Sequence, residues 1–198
     1  MSINIECEER VMLNEEQYNC VVSDLFINNP YHNFLKIKNV YFDTNNRDLL
    51  TNHIVLRVRT TNNMNVELTM KIKGDEGDTE VTDMLNRFQH DAIINKHILP
   101  TGQVVNKLHE LQISTASLSP VAEMNTKRLE IKKDDYLIVV DCNTYSDIMD
   151  FDLEIEAPSK DRALEAIKLF CEKYQIEYRN DYKSKSRRAI NAITKNQS

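Results

Sequence analysis

The stretch HIVLRVRTTNNMNVELTMKIKG, residues 53–74, has the pattern of a β-hairpin. Apolar and polar side chains alternate on both sides of the turn-forming residues TNNMN. Successive side chains on a strand point to opposite faces, so Arg57 and Arg59 share one face of the first strand. By the same rule Lys71 and Lys73 share one face of the second strand. The hairpin therefore presents four cationic side chains that can lie on a single surface.

Carboxylates alternate in the same way in two other predicted strands, residues 3–13 (INIECEERVML) and 147–157 (DIMDFDLEIEA). The side chains that share a face are Glu6, Glu8 and Arg10 in the first, and Asp152, Glu154 and Glu156 in the second. Charged residues two apart on a strand lie roughly 6–7 Å from each other, so like charges repel there. For any one strand, a solvated face of a half-buried sheet explains the pattern. Across these strands, however, the positive and the negative side chains are mostly on different strands. This segregation favours a site in which the cations bind a polyanion and the carboxylates bind a hard divalent cation.

The remaining segments predict a strand-rich chain with helices between the hairpins. Further strands are predicted at 38–44, 120–132 and 135–145. Helices are predicted from Asn14, with Gln17 completing a capping box, over 79–99, over 160–176 after the cap Ser159, and in the basic C-terminal segment. A short helix is also compatible with residues 100–120. This order predicts an α+β fold, an antiparallel sheet or barrel with peripheral helices.

The composition excludes several function classes. The chain has 198 residues with only three Gly, so it lacks the glycine-rich phosphate loops of P-loop and Rossmann proteins, and side chains must bind any phosphate. A net charge of −6 is opposite to that of most nucleic-acid-binding proteins. The sequence contains no apolar run long enough for a transmembrane helix, and its acidic N-terminus does not resemble a secretory signal. Four scattered cysteines fit reduced thiols, which predicts a cytoplasmic protein.

A set of motifs, in order along nearly the whole chain, resembles the CYTH or triphosphate tunnel metalloenzyme superfamily. The motifs are ECEER (6–10), YFDT (41–44), LRVR (56–59), TMKIKG (69–74), Glu80, TKR (126–128), VVD (139–141), LEIE (153–156) and SKSRR (184–188). The family's N-terminal signature is E-x-E-x-K, so Arg10 replaces the usual lysine, with the same charge and a different donor geometry. Within the superfamily, the chain resembles a small bacterial subgroup, the YjbK-type proteins, which have no appended domain.

The resemblance implies one domain, residues 1–198, built as an eight-stranded antiparallel barrel around a triphosphate tunnel. It implies that phosphates are bound by Arg57, Arg59, Lys71, Lys73, Arg128, Lys185 and Arg188. It implies that Mg²⁺ or Mn²⁺ is bound by Glu6, Glu8, Asp141, Glu154 and Glu156. The residues expected in catalysis are Glu6, Glu8, Arg10 and Lys185. Strand alternation favours Arg128 over Lys127 as the phosphate-binding residue of the TKR motif. Lys185 is preferred over Lys183, because only Lys185 fits the S-K-x-x-R motif.

The function expected from the resemblance is metal-dependent hydrolysis of a triphosphate, with inorganic tripolyphosphate as the leading substrate. The alternatives are a thiamine triphosphatase, a class IV adenylate cyclase, and a polyphosphate- or nucleotide-binding module without turnover. The expected partner is a small-molecule triphosphate, not a nucleic acid or a membrane. A homodimer is compatible with the sequence.

Overall fold

The computed structural model of the chain describes residues 2–75, 77–179 and 183–195, and of residues 2–4, 194 and 195 it describes the backbone alone. Eight strands form a closed barrel in the order β1-β5-β4-β3-β2-β6-β7-β8, in which every neighbouring pair is antiparallel. The strands are β1 Ser2–Leu13, β2 Leu35–Thr44, β3 Ile54–Thr61, β4 Asn65–Ile72, β5 Asp78–Leu85, β6 Leu118–Lys132, β7 Leu137–Tyr145 and β8 Ile148–Ala157. The predicted α+β barrel is thus confirmed.

Helices lie outside the barrel wall and at one of its ends. They are α1 Glu15–Asn28, α2 Asp48–Thr51, α3 Arg87–Lys96, α4 Gln103–Glu110, α5 Lys160–Lys173 and α6 Lys185–Lys195, with a short 3-10 turn at Thr115–Ser117. The predicted capping box of α1 is confirmed, since the Gln17 amide donates to the Asn14 side chain at 2.8 Å and the Asn14 amide donates to the Gln17 side chain at 2.9 Å. Ser159 caps α5, and the basic C-terminal segment is helical, both as predicted.

The hydrophobic core lies on the outside of the barrel wall, in two clusters. One joins the outer faces of β1, β6, β7 and β8 to α1 and α5, for example Leu153 with Val21 and Ile167. The other joins the outer faces of β2 to β5 to α3 and α4, for example Met70 with Ile93. Because the apolar side of each strand is used outside, the alternate side chains are left to fill the interior.

The prediction of one helix over residues 79–99 is wrong in its first part, which is strand β5. The spacing of Val81, Met84, Leu85 and Phe88 is helical, but Met84 and Phe88 are 56% and 86% exposed, so these side chains form no buried stripe. As a strand, Asp78–Leu85 pairs with β1 on one side and β4 on the other, which closes the barrel. The threonines and valine of this segment also favour a strand.

Helix α6 covers one end of the barrel interior. Its apolar residues Ala189 and Ile190 pack on Tyr41, Met124 and Tyr145. Tyr41 lies directly opposite Arg57 in the pairing of β2 with β3, so it points to the same interior as the predicted cationic residues. The interior is therefore apolar beside Ala189 and Ile190 of α6 and charged further along.

None of the described helices has the length and the apolar character that crossing a membrane requires.

Candidate functional site

The barrel encloses a cavity of about 300 Å³ that is lined mainly by charged side chains. Its carboxylates are Glu6, Glu8, Asp43, Asp78, Glu80, Glu154 and Glu156. Its cations are Arg10, Arg57, Arg59, Lys71, Lys73, Arg128, Lys183, Lys185 and Arg187. The structure thus brings together all the predicted site residues except Asp141 and Arg188, which do not line the cavity.

Three carboxylates from two adjacent strands form the acidic side of the cavity. Glu8 lies directly opposite Glu156 in the pairing of β1 with β8, and Glu154 lies one inward position further along β8. Each of the three offers a carboxylate oxygen, and these oxygens lie within 4.8 Å of one another. The arrangement is a candidate site for a divalent cation, because Mg²⁺ and Mn²⁺ prefer oxygen ligands.

Glu156 carries the clearest sign that a cation belongs there. Burial, together with the nearby Glu6 and Glu8 carboxylates, raises the pKa of Glu156 although Arg128 and Lys71 act in the opposite direction. Among the described residues, no ion pair reaches the Glu156 side chain. A bound cation would relieve this crowding of negative charge, so the donor set fits the metal that the sequence predicts.

Glu8 is held in its charged form by the cations around it. Its carboxylate contacts Arg10 Nη2 at 3.2 Å and Lys71 Nζ at 3.1 Å. Burial alone would raise the pKa of Glu8, but Arg10, Lys71 and Lys185 lower it to about 2. Lys71 also contacts Glu6 at 3.2 Å, so one lysine connects the basic hairpin to the acidic strand.

Glu154 is 2% exposed and lies among three cations. Its oxygens contact Arg128 Nη2 at 3.3 Å and Lys185 Nζ at 2.9 Å, and Arg10 Nη2 forms a close ion pair with it. The register explains the last contact, because Arg10 and Glu154 are directly opposite each other on β1 and β8. Glu154 therefore belongs both to the acidic side of the cavity and to a buried ion-pair network.

That network extends behind the cavity wall to Asp141. Arg128 donates two hydrogen bonds to Asp141, at 2.9 and 2.8 Å, and Lys185 forms a close ion pair with the same carboxylate. Burial opposes ionisation of Asp141, but these two cations keep its pKa below the usual range. Asp141, predicted as a metal ligand, is thus already engaged by two basic residues, and it orients both of them toward the cavity.

Asp152 is the residue of this network to which the sequence assigned no role. It is fully buried and accepts hydrogen bonds from Arg188 Nη2 at 2.6 Å and from the side-chain amide of Asn143 at 2.8 Å. It also forms an ion pair with Lys185 at 2.9 Å. Alternation with Glu154 placed Asp152 on the inner face, but only the docking of α6 shows which residues it pairs with. Arg188, predicted to bind substrate, pairs with Asp152 and with Asp150 at 3.2 Å. It therefore attaches α6 to the barrel.

The opposite wall of the cavity carries an excess of positive charge. Arg57 contacts Glu80 at 3.3 Å, and Arg59 contacts Glu67 at 3.5 Å. Burial, and then the neighbouring Arg57 and Arg128, lower the pKa of Arg59 to about 10, although Glu67 partly offsets them. A half-buried guanidinium destabilised by other cations is typical of a site that binds an anion.

A closed antiparallel barrel whose interior has a cationic wall facing clustered carboxylates defines the class of protein, a barrel with a charged central cavity. The chain belongs to the CYTH domain family, whose model matches residues 4–190.

The comparisons agree with this assignment. The chain is 31% identical to the Bacillus subtilis (strain 168) protein named "Putative triphosphatase YjbK", over 90% of this chain and 91% of that protein. A Bacillus halodurans structure described as a "putative adenylate cyclase" matches with a TM-score of 0.88 at 23% identity, over 95% of this chain and 98% of that one. A Hippeastrum structure described as a "putative adenylyl cyclase" with a dominant triphosphatase activity matches with a TM-score of 0.76 at 18% identity, over 98% of this chain and 97% of that one.

Proposed function

We propose that the protein is a metal-dependent triphosphatase that hydrolyses inorganic tripolyphosphate to pyrophosphate and phosphate. The observation that carries the proposal is a cavity in which a cationic wall faces three carboxylates whose oxygens lie within 4.8 Å of one another. The lowered pKa of Arg59 supports it. A linear triphosphate that chelates a divalent cation is complementary to both sides at once. The relative from Bacillus subtilis, at 31% identity, also bears the name of a triphosphatase.

The basic residues bind and orient the phosphates in this proposal. Arg57 and Arg59 on β3 present forked donors, Lys71 and Lys73 present ammonium groups, and Arg128 reaches from β6. Phosphoryl transfer to water spreads negative charge over the terminal phosphoryl oxygens, so donors fixed in position stabilise the transition state. Lys185 adds a cation from the first residue of α6, held in place by Asp141 and Asp152.

The carboxylates hold the metal in this proposal, with Glu8 and Glu156 as the principal ligands, Glu154 as the third and Glu6 close by. Mg²⁺ or Mn²⁺ bound there supplies a Lewis acid that neutralises charge on the phosphate oxygens. Arg10 completes the acidic side by pairing with Glu8 and Glu154.

The size and lining of the cavity favour a substrate without a large organic group. A volume of about 300 Å³ is at the lower end for ligand pockets. Among the described lining residues the Tyr and Phe rings are Tyr41 and Phe42, which are 2% and 3% exposed. Neither ring offers an open face for stacking a thiamine or adenine ring, and the exposed imidazole of His53 lies at the cavity edge. Tripolyphosphate needs no such platform.

We also infer that the chain acts as one unit in the cytoplasm, on a small molecule and not on a nucleic acid or a membrane. Residues of β1 and of α6, far apart in sequence, meet in one cavity, as the Lys185 contact with Glu154 illustrates. Cys20, Cys142 and Cys171 are free thiols, which fits a reducing compartment.

A substrate panel tests the proposal. The purified protein is incubated with tripolyphosphate, thiamine triphosphate or ATP, each with Mg²⁺ or Mn²⁺, and phosphate, pyrophosphate and cyclic AMP are quantified. We expect phosphate and pyrophosphate in equal amounts from tripolyphosphate, at a kcat/KM well above that for the other two. Cyclic AMP from ATP would identify a cyclase instead, and tight binding without any product would identify a binding module.

A further inference from the structure

Asn39 is a polar residue of the cavity wall to which no motif of the sequence assigns a role. It lies on β2, is 3% exposed, and lines the cavity. Its Oδ1 atom accepts a hydrogen bond from Arg59 Nε at 3.3 Å, and the pairing of β2 with β3 places the two residues directly opposite each other. Asn39 is therefore part of the cationic wall without carrying a charge itself.

The contact with Arg59 determines how the side-chain amide of Asn39 is turned. A guanidinium nitrogen can only donate a hydrogen bond, so the atom of Asn39 that faces it must be the amide oxygen. The amide nitrogen, Nδ2, then points away from Arg59 and keeps two hydrogens to donate.

The residues around Asn39 offer Nδ2 no strong acceptor. On the other side of β2 the residue directly opposite is Met124 of β6, whose thioether sulfur is a weak acceptor and already contacts the Tyr41 hydroxyl at 4.0 Å. The nearest residues of β2 on the same face are Ile37 and Tyr41. Within the described part of the chain, the side chain of Asn39 makes the Arg59 hydrogen bond and Nδ2 donates to no protein atom. Because a buried donor without a partner is costly, an acceptor inside the cavity would complete the group.

The neutral side chain also leaves most of the charge of Arg59 available. Arg57, the other arginine on this face of β3, pairs with the Glu80 carboxylate at 3.3 Å, whereas Arg59 Nε meets an uncharged oxygen and its Nη1 is 3.5 Å from Glu67. Asn39 thus fixes the guanidinium without neutralising it. Since the two side chains are in contact, an anion that Arg59 binds in the cavity also lies beside Asn39.

We propose that Asn39 is a further substrate-binding residue, whose Oδ1 holds the Arg59 guanidinium in place and whose Nδ2 donates to a phosphate oxygen of the bound triphosphate. This inference rests on the proposed function and adds a neutral donor to the cationic residues of the site. A neutral donor contributes a hydrogen bond without adding to the repulsion among Arg57, Arg59 and Arg128.

The test is a calorimetric titration of the full-length protein with tripolyphosphate and a chelator, so that binding to the protein is measured without metal-dependent turnover. Wild type is compared with Asn39→Ala, Arg59→Ala and the double variant, and Asn125→Ala, at an exposed position on β6, is the matched control. We expect Asn39→Ala to weaken binding about tenfold, as for a hydrogen bond to a charged group. Part of this loss, about threefold or more, should persist when Arg59 is already alanine, because Nδ2 makes its own contact. Asn125→Ala should bind like wild type.

An affinity of Asn39→Ala equal to that of wild type would overturn the role of Asn39 and leave the triphosphatase proposal standing. A loss that disappears in the Arg59→Ala background would also overturn it, because Asn39 would then act only by positioning the arginine. Absence of tripolyphosphate binding by wild type would instead contradict the proposed function. Circular dichroism shows whether Asn39→Ala is folded; should it not be, Asn39→Val, which favours a strand and also lacks the donor, is measured in its place with the same criteria.

Discussion

At the residue scale, the site depends on how each charged side chain is paired, and this differs among glutamates that look alike in the sequence. Glu154 and Glu156 are two positions apart on β8 and both face the interior. Glu154 is surrounded by Arg10, Arg128 and Lys185, whereas no ion pair reaches Glu156 within the described part of the chain. The same substitution should therefore have different consequences at the two positions.

Glu156→Gln is expected to weaken Mn²⁺ binding at least about tenfold, because a charged oxygen ligand is lost, and to leave the free energy of unfolding unchanged or slightly higher. Glu154→Gln is expected to lower the free energy of unfolding by about 3–5 kcal/mol, because it removes one partner from a buried ion-pair network. Calorimetric titration and urea unfolding measure the two effects. Glu123→Gln, at an exposed ion pair with Lys38, is the matched control. Equal loss of stability in the two interior variants would contradict the pairing described here.

Arg59→Ala is expected to lower kcat/KM for tripolyphosphate by about 10- to 100-fold, the range that corresponds to losing hydrogen bonds from a charged donor. Removing this cation also leaves Arg57 and Arg128 less crowded, so the protein should remain folded. Arg162→Ala removes a guanidinium that does not line the cavity and serves as the control. Equal kcat/KM in wild type and Arg59→Ala would indicate that the arginines of β3 do not bind substrate.

At the element scale, alternation predicted most of the strands and the faces they present, and it failed where two periodicities overlap. In residues 79–85 the apolar positions fit a helix, yet this segment is the strand that completes the barrel. Pairing with β1 and β4 decides the outcome, and local spacing does not show the pairing with β1, which is far away in sequence. The caps of α1 and α5 were predictable, because they depend on Asn14 and Ser159 and on residues only three positions away.

Asn14→Ala tests the cap of α1, and we expect it to lower the free energy of unfolding by about 1 kcal/mol, because the amide of Gln17 loses its acceptor. Turnover should not change, because α1 packs on the outer face of the barrel. Urea unfolding gives the first quantity and phosphate release the second. Asn106→Ala, at an exposed position inside α4, is the control, since Ala there has the higher helix propensity. A cap variant as stable as wild type would contradict the assignment.

At the scale of the whole molecule, the apolar side chains of the strands pack outside the barrel wall, which leaves the interior to charged side chains. The ion pairs in this interior join β1, near the start of the described chain, to α6, near its end. Sequence reasoning found the inward faces of β1, β3, β4 and β8. It could not find the partners across the barrel, because Arg10 with Glu154 depends on register and Arg188 with Asp152 depends on the docking of α6. Asp141 illustrates the same limit, since its motif was visible while its pairing with Arg128 and Lys185 was not.

The charged interior makes stability depend on acid pH. The pKa values of Asp141 and Asp152 lie below the usual range despite burial, because Arg128 and Lys185 act on the first and Lys185, Arg10 and Arg188 act on the second. The pKa of Glu8 falls from 4.5 to about 2. Groups with a lowered folded-state pKa contribute stability above their unfolded value and lose it as the pH falls. Glu156, with a raised pKa, acts in the opposite direction and is outnumbered.

We therefore expect the free energy of unfolding to decrease as the pH is lowered from 4.5 toward 2, the window set by Glu8. Urea unfolding at a series of pH values measures this slope. Asp152→Asn should show a shallower slope, because one of the contributing carboxyl groups is gone. A free energy of unfolding that stays constant or rises down to about pH 3 would contradict this account of the interior.

The central claim is that this interior holds a triphosphate together with a divalent metal. The most direct test is the initial rate of phosphate release from tripolyphosphate, measured with Mn²⁺ and with a chelator. Wild type is compared with Glu156→Gln. The account predicts rapid release by wild type with Mn²⁺, none with chelator, and a much higher Mn²⁺ requirement for Glu156→Gln. Equal rates with metal and with chelator, or no release under any condition, would contradict it.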